Sequence, residues 1–576
     1  MALVTAVPLE GYFFYGWYEG NTLRSIFEEY QFEVRRDIVL TAVYLPFNGG
    51  EDDPVISGDP AASGKCGENC TWAFYEGGTL RISGTGDMYD YKSADPDCAP
   101  WRSYKIKSVI IGEGITSIGD YAFSLCSNLS DVSISDSVKS IGKDSFSYCL
   151  ALTKIIIPGG VLSVGDHAFL YCRRLADVTI SEGCTSIGTS AFSGCTSLEE
   201  ITVPGSVETI ETDVFSGCSS LKDLTIAEGV KSIGLYAFKS CSSLKNVNLP
   251  GSLEEIGWSA FVNCTSLTDM IIPEGVRIIR FMAFYGCTGL ESVSIPSTLT
   301  SLNSMVFIDC TNLKVISAAQ DSGSFSSIDG VLFNKGCTKL ICYPEGKTGA
   351  FCLPGSVTSI ETPALAGCVG LTEITVEAGN SSFSAEDGML LNKKGFTLVC
   401  CPAGKEGSCT IPDGVEQIGY YAFYGCRDLT AVIIPEGVKT ITMHAFEKCS
   451  GLTRLSLPES LTTIGSTAFS SCSNLDCVVI RKGLASIGTS PFTDCSSLSA
   501  LYFMGSQDDW NTITIADDNG DFPSDKLVFV ANANSLSYAR VTVLTDSMYT
   551  GTAIRPKPLV SQLGIVLEEG KDYSLA

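Results

Sequence analysis

Histidine is almost missing from this chain, which has only two His in 576 residues. Basic residues are also few, because 38 Lys and Arg stand against 64 Asp and Glu and leave a formal net charge of −26. The scarcity of His excludes most acid–base and metal schemes that need an imidazole. The lack of clustered positive charge argues against nucleic acid and anionic membrane surfaces as partners.

Long apolar runs are lacking too, so we expect no direct membrane insertion. The first residues, MALVTAVPLEGYFFYGW, have neither the basic segment nor the small-residue cleavage site of an export signal. Two interpretations of the compartment stay open. The chain is cytoplasmic, or it is a piece of an exported protein whose signal lies upstream. The domain pattern described below favours the second interpretation.

Cysteine, in contrast, is abundant, with 25 residues. Fourteen of these cysteines occupy one position of an internal repeat, with a spacing of 23 residues except for two intervals of 58. We call this set the thiol ladder. Its members are Cys126, Cys149, Cys172, Cys195, Cys218, Cys241, Cys264, Cys287, Cys310, Cys368, Cys426, Cys449, Cys472 and Cys495.

Each repeat unit combines three short patterns, as in VKSIGKDSFSYCLALTKIIIP from Val138 to Pro158. The L-x-x-V-x-I pattern alternates with period two and predicts a strand, and V-x-x-I predicts a second short strand. The A-F-x-x-C segment is long enough for only one helical or 3-10 turn. A single unit cannot fold alone, because ordering its backbone costs more free energy than its few apolar side chains return. The sequence therefore predicts a β-rich solenoid of stacked coils.

The consensus V-x-x-I-G-x-x-A-F-x-x-C-x-x-L-x-x-V-x-I-P resembles the BspA-like class of leucine-rich repeats found in bacterial surface proteins. The resemblance covers roughly residues 66–531 and implies a right-handed solenoid with a parallel sheet along one face. Two inserts, at about 319–353 and 377–411, match each other at an offset of 58 residues. Extended runs around Asn-Lys predict a β-hairpin in each insert.

The regions outside the array indicate several domains. Residues 11–46 resemble the closing half of an internalin-type B-repeat, whose first half is not in the sequence. Both ends therefore look cut, which is why we favour an exported protein. The expected divisions are a partial B-repeat at 1–46, a linker at 47–65, a β-hairpin cap at 66–112, the solenoid at 113–500, a C-terminal cap at 501–531 and the truncated start of a further β domain at 532–576.

We interpret the ladder cysteines as buried thiols that pack the coil interior, since a small polarizable side chain suits a crowded core. Stacked thiols would lie roughly 5 Å apart, so spacing alone leaves pairing open. The disulfide state of Cys66, Cys70 and Cys98 in the cap also stays open. For the neighbours Cys400 and Cys401 we expect one thiol inside and one outside. We expect no metal site and no cofactor.

Two residues imitate a catalytic pair. His167 and His444 each lie five residues before a ladder cysteine, a spacing that suggests Cys–His nucleophilic catalysis. Other units have Asp, Ser, Tyr or Met at this position, so we expect a variable, exposed site without a catalytic role.

The exposed positions of the L-x-x-V-x-I strands are the candidate binding face. Small and β-branched residues predominate seven positions after each ladder cysteine, and charged residues precede them. The alternative is ordinary strand-surface chemistry. The candidate face comprises Asp131, Lys154, Asp177, Glu199, Glu200, Lys222, Asp223, Lys245, Asp269, Glu291 and Glu373.

The resemblance implies an extracellular or cell-surface bacterial protein that binds a protein or glycan partner, in the manner of an adhesin. No catalytic constellation stands out, so we expect no enzymatic activity. The alternative function is a structural spacer that presents distal domains.

Overall fold

The computed structural model describes residues 59–93, 97–516 and 522–530 in full, together with the backbone of strands near both termini. Those strands are Ala2–Thr5, Tyr12–Glu19, Thr22–Ser25, Glu29–Phe32, Thr41–Pro46, Ala539–Thr542, Leu559–Gln562 and Ile565–Leu567. The domains predicted at 1–46 and 532–576, and most of the linker predicted at 47–65, lie outside the fully described residues.

The L-x-x-V-x-I pattern forms the longer strand of each coil. In Lys154–Ile157 the side chains of Lys154 and Ile156 are exposed, whereas Ile155 and Ile157 are buried, as period-two alternation requires. Neighbouring strands pair in parallel with a shift of one repeat, so Lys154 lies opposite Asp177. We call this series the long-strand sheet. Its strands are Ser108–Ile111, Asp131–Ile134, Lys154–Ile157, Asp177–Ile180, Glu200–Val203, Asp223–Ile226, Asn246–Asn248, Asp269–Ile271, Ser292–Ile295, Val315–Ala318, Gly349–Leu353, Leu371–Val376, Gly407–Thr410, Leu429–Ile433, Arg454–Ser456, Cys477–Ile480, Ala500–Phe503 and Leu527–Phe529.

The V-x-x-I pattern forms a second parallel series on another side of each coil. These strands are mostly two residues long, and Ser140 pairs with Ser163 of the next coil. We call this series the short-strand sheet. Its strands are Ile115–Ile118, Ser140–Ile141, Ser163–Val164, Ser186–Ile187, Thr209–Ile210, Ser232–Ile233, Glu255–Ile256, Ile278–Ile279, Ser359–Ile360, Gln417–Ile418, Thr440–Ile441, Thr463–Ile464, Ser486–Ile487 and Thr514–Ile515.

The A-F-x-x-C segment closes the coil by hydrogen-bonded turns. Cys172 N donates to Phe169 O at 3.2 Å within the coil, and Phe169 N donates to Ala191 O of the next coil at 2.7 Å. Only one ladder unit in the described residues forms a helical turn here, the 3-10 helix Ser304–Phe307. The other described helices lie at the C-terminal end, an α-helix at Gln507–Trp510 and a 3-10 turn at Ser524–Lys526. The coils are therefore almost free of helix.

The glycine seven residues before the ladder cysteine allows two coils to approach closely. A Cβ added to Gly142 would lie 2.7 Å from the backbone nitrogen of Asp120 in the preceding coil. Left-handed backbone occurs elsewhere in the turn, at positions five and one before the cysteine, for example at His167 (φ 56°) and Tyr171 (φ 55°). The corner glycine therefore serves the spacing of the coils.

The interior consists of columns of identical side chains. The ladder phenylalanines from Phe123 to Phe307 stack with ring centroids 5.1–5.7 Å apart. Trp101 covers the first of these rings at 5.6 Å. A second stack of phenylalanines, from Phe423 to Phe492, has spacings of 4.5–5.4 Å. The hydrophobic core is thus shared between coils, as the sequence predicted.

Each insert is a three-stranded antiparallel unit, which confirms the predicted hairpins. The third strand of each insert also pairs in parallel with the short-strand sheet, Lys339 with Ser359 and Thr397 with Gln417. The inserts therefore replace part of a coil as well as projecting from it. Their strands are Phe325–Ile328, Val331–Asn334, Lys339–Cys342, Phe383–Glu386, Met389–Asn392 and Thr397–Cys400.

An antiparallel cap precedes the array, with strands Ala62–Lys65, Gly67–Tyr75 and Thr79–Met88. Its last strand pairs in parallel with Ser108–Ile111 and with Ile115–Ile118, so it begins both sheets. The cap sheet starts inside the segment predicted as a linker at 47–65, because Ala62 already pairs with Phe74.

Candidate functional site

The structure places the fourteen ladder cysteines in register, thirteen of them buried and Cys126 half-buried. In most coils the thiol donates to the phenylalanine carbonyl of the preceding coil. Cys172 Sγ lies 3.1 Å from Phe146 O, which also accepts the backbone N–H of Cys149 at 3.3 Å. The thiol therefore satisfies the second lone pair of a buried carbonyl, a contact that an aliphatic side chain cannot make.

Burial of the ladder sulfurs disfavours covalent and metal chemistry there. Burial raises the pKa of Cys218 and of Cys287 to about 12, so these side chains stay protonated at neutral pH. The fully described part of the chain contains no disulfide bond, and it contains no cluster of His, Cys, Asp and Glu that could hold a metal ion.

The cysteines outside the ladder occupy different environments. Cys66 and Cys70 are buried in the cap, and Cys98 is half-buried. Both Cys400 and Cys401 are buried, so the expectation of one inside and one outside is wrong. The reason is that the third insert strand ends against the next coil, where Cys401 N donates to Ala422 O at 2.7 Å.

Neither histidine contacts a thiol. His444 Nδ1 contacts the Glu447 carboxylate and lies 2.8 Å from Thr467 Oγ1, while His167 Nδ1 lies 3.7 Å from Asp144. Both residues are half-buried rather than exposed, and the His444 ring stacks on Tyr421 with centroids 4.7 Å apart. The arrangement gives no Cys–His pair.

A buried carboxylic acid lies at the first insert, and the sequence patterns did not indicate it. Asp309 N donates to Glu345 Oε1 at 2.7 Å. In a regular coil the equivalent N–H donates to a carbonyl of the next coil, as Gly286 N does to Ile308 O at 2.9 Å. At Asp309, next to the first insert, the Glu345 side chain takes the place of that carbonyl.

Charged groups surround this acid. Lys448 Nζ lies 2.7 Å and 2.9 Å from the two carboxylate oxygens of Asp309, and 5.0 Å from the centre of the Tyr424 ring. Burial, together with the negative charge of Asp309, raises the pKa of Glu345 to about 8. The sequence does contain a signal for this site, because the two inserts differ here. At the offset of 58 residues, Glu345 aligns with Ala403 and Asp309 aligns with Gly367.

All eleven residues of the candidate binding face are exposed. They lie on the outer side of the long-strand sheet or next to its strands, and several neutralise each other between coils. Lys154 Nζ lies 2.8 Å from Asp177, and Lys222 Nζ lies 2.8 Å from Glu199. The most exposed apolar residue on this side is Ile271, at 77%. The face is therefore extended and polar, with charges that are partly paired.

Comparison with known proteins agrees with this architecture. The family model described as the BspA type leucine rich repeat region matches residues 101–222, 209–341 and 404–517, which together exceed half of the chain. The protein is a leucine-rich repeat solenoid. Within that class, it belongs to the BspA-type leucine-rich repeat family. None of the curated proteins compared with the chain matches it.

Several solved structures resemble the chain. A leucine rich cell surface protein from Faecalibacterium prausnitzii A2-165 is 23% identical, covers 79% of this chain and 98% of its own, and has a TM-score of 0.40. A leucine-rich repeat protein from Bacteroides ovatus ATCC 8483 is 24% identical over 80% and 98% of the two chains, with a TM-score of 0.35. The pneumococcal vaccine antigen PcpA is 18% identical over 82% and 100%, with a TM-score of 0.32.

The described helices are too short to cross a bilayer, and none of them qualifies as a membrane span.

Proposed function

We propose that this protein is displayed at the bacterial cell surface or secreted, and that it binds a protein or glycan partner without catalysing a reaction. The observation that carries the proposal is the set of eleven exposed charged residues on or next to the long-strand sheet, which recur at two neighbouring repeat positions. Such a surface suits recognition of an extended partner, because contacts repeat from coil to coil. The assignment to the cell surface rests on the resemblance of the repeat to bacterial surface proteins.

The charge pattern of this face predicts which partners it binds and how the affinity depends on salt. Glu200, Asp223 and Asp269 occupy the same position on three strands, and their exposed carboxylates favour a partner with positive charge or hydrogen-bond donors. Attraction between exposed charges is screened by salt, so the affinity should fall as ionic strength rises.

A solid-phase screen of the purified chain against a panel of extracellular-matrix proteins and a glycan array tests the proposal. The test variant combines Glu200→Lys, Asp223→Lys and Asp269→Lys. The control variant combines Glu208→Lys, Glu254→Lys and Glu416→Lys, which change the net charge equally at exposed positions beside the short-strand sheet. Saturable binding that only the test variant loses supports the proposal. The absence of saturable binding to every probe contradicts it.

The second candidate function is a structural spacer, and the paired charges of the face favour it. Lys314 Nζ lies 2.9 Å from Glu291, so some of these side chains already have partners within the chain. A spacer needs the stacked coils and not the face composition. Scrambling the charges of the face without a change in function in the native bacterium would favour the spacer.

A further inference from the structure

Three consecutive coils near the start of the array place large side chains on an outer corner of the solenoid. Leu125, Tyr148 and Tyr171 each come one residue before a ladder cysteine and are 48%, 39% and 38% exposed. Leu150 is 41% exposed on the other side of Cys149, and Arg173 follows Cys172. We call Leu125, Tyr148, Leu150, Tyr171 and Arg173 the corner patch.

The backbone at this corner does not favour large residues. The residue before the ladder cysteine is left-handed in all fourteen units, with φ of 63° at Leu125, 58° at Tyr148 and 55° at Tyr171. This conformation disfavours residues that carry a Cβ, and Gly, Asn and Asp tolerate it best. Eight of the other eleven units have one of these three types. They are Gly194, Gly217, Asn263, Gly286, Asp309, Gly367, Gly425 and Asp494.

The fold does not require large side chains at this position. They leave 38–48% of their surface in solvent and the left-handed backbone opposes them, whereas eight other coils have Gly, Asn or Asp there. Strained positions of this kind are concentrated at functional sites in proteins. The corner patch is therefore a candidate contact site.

Contacts within the patch hold the aromatic rings in place. The rings of Tyr148 and Tyr171 have centroids 5.3 Å apart, with an interplanar angle of 39°. The Arg173 guanidinium lies 5.6 Å from the centre of the Tyr171 ring. Tyr171 also lies directly against Gly194, where an added Cβ would come within 2.3 Å of the ring. A partner would meet rings that are already ordered, which reduces the entropy lost on binding.

The local charge differs in sign from that of the whole chain. Segments 124–128, 147–151 and 170–174 contain no Asp or Glu, whereas Arg173 and Arg174 are both exposed. The net charge of the chain is −26. Tyr and Arg are also the residue types that dominate the binding energy of protein interfaces. The corner patch thus suits a partner that combines apolar side chains with carboxylates.

We propose that the corner patch docks an acidic segment of a partner protein that carries large apolar side chains. The apolar side chains pack on the leucines and tyrosines, and the carboxylates pair with Arg173 and Arg174. The proposal rests on the proposed function, since it assumes a binding protein, but it places this contact on the corner and not on the long-strand sheet.

A displayed library of random 12-residue peptides, selected on the intact chain, tests the proposal. The test variant is Tyr148→Ser with Tyr171→Gly, which introduces residues that other coils have at this position. The control variant is Ser471→Gly with Asp494→Gly, at the same position near the other end. We expect the selected peptides to be rich in Asp, Glu and large apolar residues. We expect the best peptide, measured by biolayer interferometry, to lose at least tenfold in affinity for the test variant only.

The proposal is overturned by the absence of an enriched peptide, by a basic peptide, by equal binding to both variants, or by self-association of the chain that the test variant loses. The last outcome would assign the corner to a second copy. Peptide binding that is lost only on reversing the charges of the long-strand sheet also overturns it, while leaving the proposed function intact. Failure of the matrix and glycan screen tests that function separately.

Thermal unfolding of the test variant supplies a folding control. Removing Cβ strain at Tyr171 offsets the loss of its ring contacts, so we expect the melting temperature to stay level or to rise. A marked fall would show that the tyrosines stabilise the coils, and it would overturn a role in docking.

Discussion

Lys448 Nζ lies 2.7 Å from a carboxylate oxygen of Asp309, although 139 residues separate the two in sequence. Both inserts lie between them. The residues at the same repeat position in the two intervening ladder units are Gly367 and Gly425, so no side chain stands between the charges. The ion pair therefore ties the coils before the first insert to those after the second.

We predict measurable coupling between Asp309 and Lys448 in a double-mutant cycle of Asp309→Asn and Lys448→Met. Their side chains are only 19% and 26% exposed, so water screens the pair weakly, and we expect a coupling free energy of about 1–2 kcal/mol in urea unfolding. The matched control is Glu291 with Lys314, whose side chains are 55% and 57% exposed. There we expect at most about 0.5 kcal/mol. Equal coupling in the two cycles would contradict a special role for the first.

Because of Glu345, the free energy of unfolding should decrease as the pH rises from weakly acidic to weakly basic values. Its pKa is raised from 4.5 to about 8 in the folded chain, first by burial. Below pH 4.5 both states are protonated, and between 4.5 and 8 only the folded state holds the proton. Stability is therefore lost as pH rises through this window, by roughly 5 kcal/mol as an upper bound.

The variant Glu345→Gln isolates this effect, because a neutral amide still accepts the N–H of Asp309. We expect the variant to match the natural protein near pH 4.5 and to exceed it increasingly toward pH 8. Urea unfolding at several pH values measures the difference. A difference that stays constant with pH would show that Glu345 ionises inside the folded protein at its ordinary pKa.

The structure of the regular coils could be predicted from the sequence because the same residue pattern recurs in every coil. Fourteen copies of one pattern average out local exceptions, so the two strand series and the buried Phe and Cys columns follow from the spacing of residues. The corner glycine illustrates the limit. The repeat marks Gly142 as special, but only the position of Asp120 in the preceding coil shows that steric contact between coils is the reason.

The buried acid and the corner patch escaped prediction for a different reason. Glu345 and Tyr171 each depart from the repeat in one or two units, and a pattern built on agreement treats such residues as variation. Their meaning depends on which backbone groups an insert removes and which φ a position requires. The sequence difference between the two inserts at an offset of 58 residues, Glu345 against Ala403, is the signal that marks this residue.

The Phe column should contribute far more to stability than the thiol column. Phe238→Ala removes a ring that stacks at 5.5 Å and 5.2 Å on Phe215 and Phe261, and the resulting cavity should cost about 3–5 kcal/mol. Cys241→Ala removes a small side chain and one weak hydrogen bond, from Sγ to Phe215 O at 3.2 Å. That carbonyl keeps the N–H of Cys218, so we expect a loss of about 1 kcal/mol. Chemical denaturation of both variants makes the comparison, and similar losses would contradict the assignment of the stabilising role to the rings.

Thiol reactivity should separate one cysteine from all the others. Cys352 is the exposed cysteine of the described chain, on strand Gly349–Leu353 of the long-strand sheet. The ladder thiols react slowly because they are inaccessible, and burial raises the pKa even of the half-buried Cys126 to about 12.

With Ellman's reagent at pH 8, we therefore expect Cys352 to react fastest, ahead of the half-buried Cys98 and Cys337, and Cys352→Ser to abolish this fastest phase. After denaturation without reductant, all 25 cysteines should react. A shortfall of two that maps to Cys66 and Cys70 would reveal a disulfide in the cap and leave the ladder unaffected. A large shortfall among the ladder cysteines would mean that the stacked thiols pair between coils, which would contradict the interpretation of the ladder as free buried thiols.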